Sequence, residues 1–157
     1  MVHETELPEN IRTLTADDLE RVIEIDADLT GRVRRGFFEK RLAAALAAPK
    51  DFVYLGWVDK TGLQGFLLAR LSEGEFGDPV PVAMLDAMGV NPDRRGQGIG
   101  RRLMAGLEEI LSCDGVAEIR SQVEWQNIEM IRFLYQANFD LAPRMVLERP
   151  AHEPVVV

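Results

Sequence analysis

At 157 residues, with 46% hydrophobic and 28% charged side chains, the chain has the length and balance of one soluble globular domain, able to bury about 70% of the surface its unfolded form exposes. Its formal net charge of −8 argues against nonspecific nucleic-acid binding, which depends on a basic surface, and its longest apolar run, residues 42–48, falls far short of a membrane span. One cysteine, Cys113, and two histidines near the ends, His3 and His152, allow no internal disulfide and offer too little for a histidine triad or a metal site.

The N-terminus has no basic region followed by an apolar one, so the expectation is a cytoplasmic protein. A single domain over 1–157 is expected, with short flexible tails at about 1–9 and 150–157. Residues 11–14 suit a first strand and Thr15 a helix cap, after which Leu19, Val22, Ile23, Ile25 and Leu29 fall mostly on one helical face, ending near Asp28. Residues 31–41 hold five basic side chains against Glu39 and lead into a helical 42–48 that Pro49 stops. Residues 52–58 and 63–71 read as a hairpin around Asp59-Lys-Thr-Gly62, residues 72–81 as a loop, and residues 82–90 as a further strand.

That strand runs directly into Asn91-Pro-Asp-Arg-Arg-Gly-Gln-Gly-Ile-Gly100, and Leu103, Leu107, Ile110 and Leu111 then recur at helical spacing until Asp114-Gly115. Cys113, near the end of this helix, reads as a buried structural thiol. Residues 116–125 alternate as a strand with Ala117, Ile119, Ser121, Val123 and Trp125 on its core face and Glu118, Arg120, Gln122 and Glu124 on the other. Asn127 can cap a last helix, residues 140–143 turn, and residues 144–149 form a final strand.

The strand-to-helix passage carries the chemistry. Glycines 96, 98 and 100 permit backbone conformations closed to other residues and let a ligand approach the main chain. The helix that follows opens with unpaired amides at the positive end of its dipole, a natural place for phosphate. No lysine or hydroxyl follows Gly100, which excludes a P-loop, and the glycines lie too late and at the wrong spacing for the dinucleotide fingerprint. Arg94, Arg95, Arg101 and Arg102 concentrate positive charge here, while the negative remainder of the protein favours a cationic, amine-bearing partner.

Arg95-x-x-Gly98-x-Gly100, with Val90-x-Pro92 before it, resembles the Arg/Gln-x-x-Gly-x-Gly/Ala signature of the GNAT superfamily of acyl-coenzyme A dependent N-acyltransferases. A second segment is similar to that family's Asn-x-x-Ala-Ile-x-Phe-Tyr-x-x-x-Gly-Phe, with Asn127, Ile131, Phe133 and Phe139 aligned without a gap. Two positions depart from it. Leu134 stands at the usual tyrosine, with Tyr135 displaced by one residue, about 100° around a helix, and Asn138 replaces a glycine, as asparagine can in a left-handed conformation.

The resemblance implies an α/β (α+β) GNAT fold: a mixed central sheet with helices on both faces and splayed fourth and fifth strands. It implies acetyl transfer from acetyl-coenzyme A to a primary amine, on a small molecule or a protein, by direct attack in a ternary complex. Met88, Gly89 and Val90 would lie along the pantetheine arm, the missing side chain of Gly89 easing close approach, and an N–H near Met88 or Gly89 would face the oxyanion. Arg95, Gly96, Gln97, Gly98, Ile99, Gly100 and Arg101 would hold the pyrophosphate, with Asn127 as a further coenzyme contact. In such proteins the connection between the first two helices helps form the acceptor pocket. Phe37, Phe38 and the arginines of residues 31–41 would then contact substrate, or else form a solvated basic face with the phenylalanines packed inward.

An alkylamine with a pKa of about 10.4 needs a base or a desolvating pocket. Asp86 and Glu124 are the carboxylate candidates, with a charge satisfied by a neighbour as the other reading of Asp86. Tyr135 is the candidate acid, although a thiolate can leave unaided. The alternative function is a non-catalytic acyl-coenzyme A binding module with a sensory or regulatory role. No metal, nucleic acid or membrane partner is expected, and a homodimer is compatible with the sequence.

Overall fold

A computed structural model describes residues 6–74 and 76–152, so the outer parts of both expected tails, His3 among them, lie outside the described residues. The chain divides into two compact units, residues 1–124 and residues 125–157.

The first unit is a five-stranded sheet in the order β1 (Ile11–Thr13), β2 (Phe52–Asp59), β3 (Gly62–Ser72), β4 (Val82–Val90) and β5 (Glu118–Ser121). The first four strands are antiparallel to their neighbours and β4 pairs β5 in parallel, so the sheet is mixed as expected. The β2–β3 hairpin turns on Lys60 and Thr61, with Asp59 opposite Gly62. Gly62 has φ of 113°, and Asp59 Oδ1 accepts from the Thr61 N–H at 2.8 Å, which pins the turn.

Helices α1 (Leu19–Thr30) and α2 (Arg35–Ala47) lie on one face, where Val22, Ile23, Ile25 and Phe38 form a buried cluster with Tyr54, Phe66 and Leu68. Helix α3 (Ile99–Cys113) lies on the other. Its Gly106 comes so close to the sheet that an added Cβ would stand 3.2 Å from both Ile11 Cγ2 and Leu55 Cδ1.

Several boundaries differ from the sequence reading. A single 3-10 turn, Ala16–Asp18, precedes α1, and the helix runs to Thr30, where Gly31 at φ of 72° closes it. Helix α2 starts at Arg35, so most of the basic stretch is helix and only residues 31–34 connect. Two of the charges there are held: Arg34 forks onto buried Asp26 and Arg35 onto Glu20. Phe38 is buried, which favours inward-packed phenylalanines over a substrate contact.

β5 is confined to four residues instead of the expected span 116–125. Pairing is what makes a strand, and its partner leaves after Leu85. Cys113 is exposed at the end of α3, because it follows the apolar stripe rather than belonging to it.

In the second unit, α4 (Ile128–Gln136) is capped by Asn127, whose Oδ1 accepts from the Met130 N–H at 3.2 Å. Asn138 is left-handed at φ of 67°, as its replacement of glycine requires. Residues 144–149 form no strand. They lack strict alternation, and Met145, Val146 and Leu147 are exposed, so β propensity finds no partner there.

Candidate active site

The site begins where β4 parts from β5. The two pair from Val82 opposite Glu118 to Leu85 opposite Ser121 and no further, while β3 follows β4 to Val90. Between these partners the register slips by one: Ala69 faces Leu85 and Leu68 faces Ala87, leaving Asp86 as the extra residue of a bulge. A bulge bends its strand and deepens the local twist, which carries the rest of β4 away from β5.

The direction of each backbone group beyond the bulge follows from one hydrogen bond. Asn91 N–H donates to Gln64 O at 2.8 Å, toward β3. Backbone groups alternate along a strand, so Gly89 also faces β3 and Met88 and Val90 face the open side. Gly89 is glycine for a different reason from that expected: an added Cβ would stand 2.8 Å from Leu29 Cδ1 and 2.9 Å from Phe66 Cε1. Its missing side chain admits helix α1, not a ligand.

Beyond Val90 the chain makes a 3-10 turn, Pro92–Arg94, extends at Arg95, and becomes left-handed at Gly96 and Gly98, with φ of 77° and 75°. The helical ladder starts with Arg102 N–H donating to Gly98 O at 3.0 Å, so the amides of Ile99, Gly100 and Arg101 precede it. Arg95, Gln97, Arg101 and Arg102 are exposed.

A polar network that sequence reasoning missed holds this turn. Gln64, 4% exposed, accepts from Asn91 Nδ2 at 2.8 Å and from Arg21 Nη2 at 3.3 Å, and donates to Thr61 Oγ1 at 2.8 Å. Arg94, expected among the phosphate-facing charges, instead bridges Asp59 at 2.8 Å and Thr61 Oγ1 at 3.0 Å. The Asp59 carboxyl lies below its usual range, chiefly because the Thr61 hydroxyl donates to it. The signal in the sequence was Gln64 itself, a polar residue in the otherwise apolar run 63–69 of β3.

Asp86 sits on the face of α1 and α2. Arg70 Nε donates to its two oxygens at 3.2 and 3.1 Å, and Arg41 Nη1 lies 3.6 Å away. Beside them Tyr54 Oη is buried without a hydrogen-bond partner, and burial pushes its hydroxyl up to about 12. Glu124, expected on a strand, lies three residues past the end of β5 and is exposed. In the second unit, Leu134 is buried and Tyr135 is 74% exposed. The structure thus gathers Asp86, the outward groups of Met88 and Val90, and the turn from Arg95 to Arg101 along one continuous run, and gives Glu124 no such place. Among the described residues no three His, Cys, Asp or Glu side chains are grouped to hold a metal ion, and no helix is long and apolar enough to cross a membrane.

A mixed sheet that opens beside a glycine-led helix is the arrangement that the resemblance to acyl-coenzyme A dependent transferases implies. The sequence profile of the acetyltransferase (GNAT) family matches residues 14–139, and the chain belongs to that family, among the acyltransferases. No curated protein matches the chain in sequence. Solved structures of similar fold include aminoglycoside N-acetyltransferase AAC(6')-Iy in complex with CoA, 19% identical, with a TM-score of 0.74 over 90% of this chain and 93% of that one. A ribosomal-protein-alanine N-acetyltransferase from Brucella melitensis biovar Abortus 2308 is 18% identical, with a TM-score of 0.70 over 89% and 98%. A transcriptional regulator from Bacillus halodurans C-125 is 22% identical, with a TM-score of 0.73 over 89% and 97%. At these identities the likeness shows the fold.

Proposed function

We propose that the protein is an N-acetyltransferase that moves an acetyl group from acetyl-coenzyme A to a primary amine by direct attack in a ternary complex. The observation that carries this reading is the parting of β4 from β5 at Asp86. It leaves the outward backbone groups of Met88 and Val90 without a strand partner just ahead of the glycine turn. A pantetheine arm laid in the gap pairs with those groups as a strand would. The amides of Ile99, Gly100 and Arg101, with the Arg95 and Arg101 side chains, take the pyrophosphate.

The Met88 N–H faces the gap and donates to the oxyanion that develops on the thioester carbonyl. The amine nitrogen forms the new C–N bond, the C–S bond breaks, and coenzyme A leaves as a thiolate. With a thiol pKa of about 8.5, departure needs no obligatory proton donor. The surplus amine proton passes to Asp86, on the lone pairs that Arg70 leaves open. Glu124, exposed and off the strand, is the weaker acceptor.

The test is release of coenzyme thiol when a panel of amines is added to the protein with acetyl-coenzyme A, with the acetylated product identified. Binding of acetyl-coenzyme A without turnover of any amine would instead favour an acyl-coenzyme A binding module. Leu134, apolar and buried where the family has tyrosine, is the observation that supports that second reading.

A further inference from the structure

Elsewhere in the first unit, three arginines each grip a carboxylate through a fork. Arg12 holds Asp18, Arg34 holds Asp26 and Arg35 holds Glu20, each through two nitrogens of its fork. The cluster at the bulge breaks that pattern, because two guanidiniums share Asp86. Arg70 reaches it through Nε alone, and Arg41 stands at 3.6 Å, within attraction but beyond a good hydrogen bond.

Among the described residues, the Nη groups of Arg41 and Arg70 donate no hydrogen bond to protein. Both side chains are about a third exposed, 34% and 39%, while Asp86 is 12% exposed. Arg41 is held in place by its guanidinium lying 5.2 Å from the Phe37 ring centre. The cluster therefore carries one surplus positive charge, with two planar forks reachable from solvent, where β4 leaves β5. A fork of that geometry matches a carboxylate. Tyr54, buried and without a partner, feels all three charges and stays protonated.

The geometry points to an acceptor subsite in which Arg41 and Arg70 bind a carboxylate, so that the acceptor is an amine of the amino-acid type. This rests on the acetyltransferase reading above and names its substrate class. It also reconciles two facts that conflict for a simple cation: the net charge of −8 and the surplus of arginine at the site. A zwitterion answers both, its ammonium drawn toward Asp86 and its carboxylate toward the guanidiniums.

The experiment compares kcat/KM, by thiol release at fixed acetyl-coenzyme A, for L-amino acids, their amides and the corresponding decarboxylated amines, with O-phosphoethanolamine as a phosphate-bearing probe. The acids are expected to exceed their amides by tenfold or more. Arg70→Gln is expected to bring the acids down to the level of the amides without raising KM for acetyl-coenzyme A, and Arg70→Lys to restore part of the difference. Arg41→Gln supplies the same comparison if Arg70→Gln does not fold. Equal turnover of acids and amides overturns the subsite and leaves the acetyltransferase standing, as does a preference for the phosphate. Turnover of no compound by a protein that still binds acetyl-coenzyme A overturns both.

Discussion

Gly89 has no room for a side chain, whereas Gly98 has room but no permitted geometry. At Gly98 an added Cβ meets nothing within 4 Å, yet φ is 75°, a conformation that costs an ordinary L-residue about 1–2 kcal/mol. Gly98→Ala is expected to lower stability by about that amount and to shrink the thermal shift given by acetyl-coenzyme A, measured by differential scanning fluorimetry; a folded variant with an undiminished shift would remove the turn from the phosphate site. Gly89→Ala acts through packing, since Phe66 is wholly buried and cannot withdraw. It is expected to cost about 1–3 kcal/mol in urea unfolding. At Tyr135, 74% exposed, loss of the hydroxyl in Tyr135→Phe is expected to change turnover by less than about tenfold, or 1.36 kcal/mol; a hundredfold loss with unchanged coenzyme affinity would make it the general acid.

The hairpin of β2 and β3 and the turn leading into α3 are one mechanical element, joined through Gln64. Gln64→Leu keeps the approximate volume and removes the partner of half-buried Asn91 Nδ2 and exposed Thr61 Oγ1, a loss of about 0.5–1.5 kcal/mol for each hydrogen bond, since both groups can turn to water. The expected kinetic outcome is a several-fold rise in KM for acetyl-coenzyme A with a smaller change in kcat. A uniform loss of both through unfolding would give Gln64 no specific part in the turn. The hairpin, β4 and α3 were legible to within a residue or so, because alternation, a tight turn and an apolar stripe are local signals. The start of α2 was not, since Gly36 and the clustered charges hide a helix whose first turns rely on Arg35 pairing with Glu20 and Glu39. Neither was the length of β5, which depends on where its neighbour bends. The left-handed turn into α3 was legible from its glycines; the arginine pair at Asp86 was not, because Arg41, Arg70 and Asp86 meet only in three dimensions.

For the molecule as a whole, acidity is the lever these pairs provide. Arg12 donates to buried Asp18 and holds its carboxyl below the usual range, as Arg35 does for Glu20 and Thr61 for Asp59. A carboxyl with a lower pKa folded than unfolded contributes stability above its unfolded value and loses it as pH falls through the folded one. Stability is therefore expected to hold from neutral pH to the ordinary carboxylate range near 4 and to decline below it. Salt should blunt the share of exposed Glu20 more than that of buried Asp18. Urea midpoints from pH 7 to pH 3 test this: Asp18→Asn is expected to flatten the acid limb, and an unaltered limb would place the acid sensitivity elsewhere. At this same scale, the extra residue at position 86 works as a spacer, and its effect amounts to one codon. Delete Asp86 and β4 runs straight past Leu85, free to zip along the chain that follows β5. The expected product is a more heat-resistant sheet that gives no thermal shift with acetyl-coenzyme A. The length of one strand would then decide whether the coenzyme finds a place to bind.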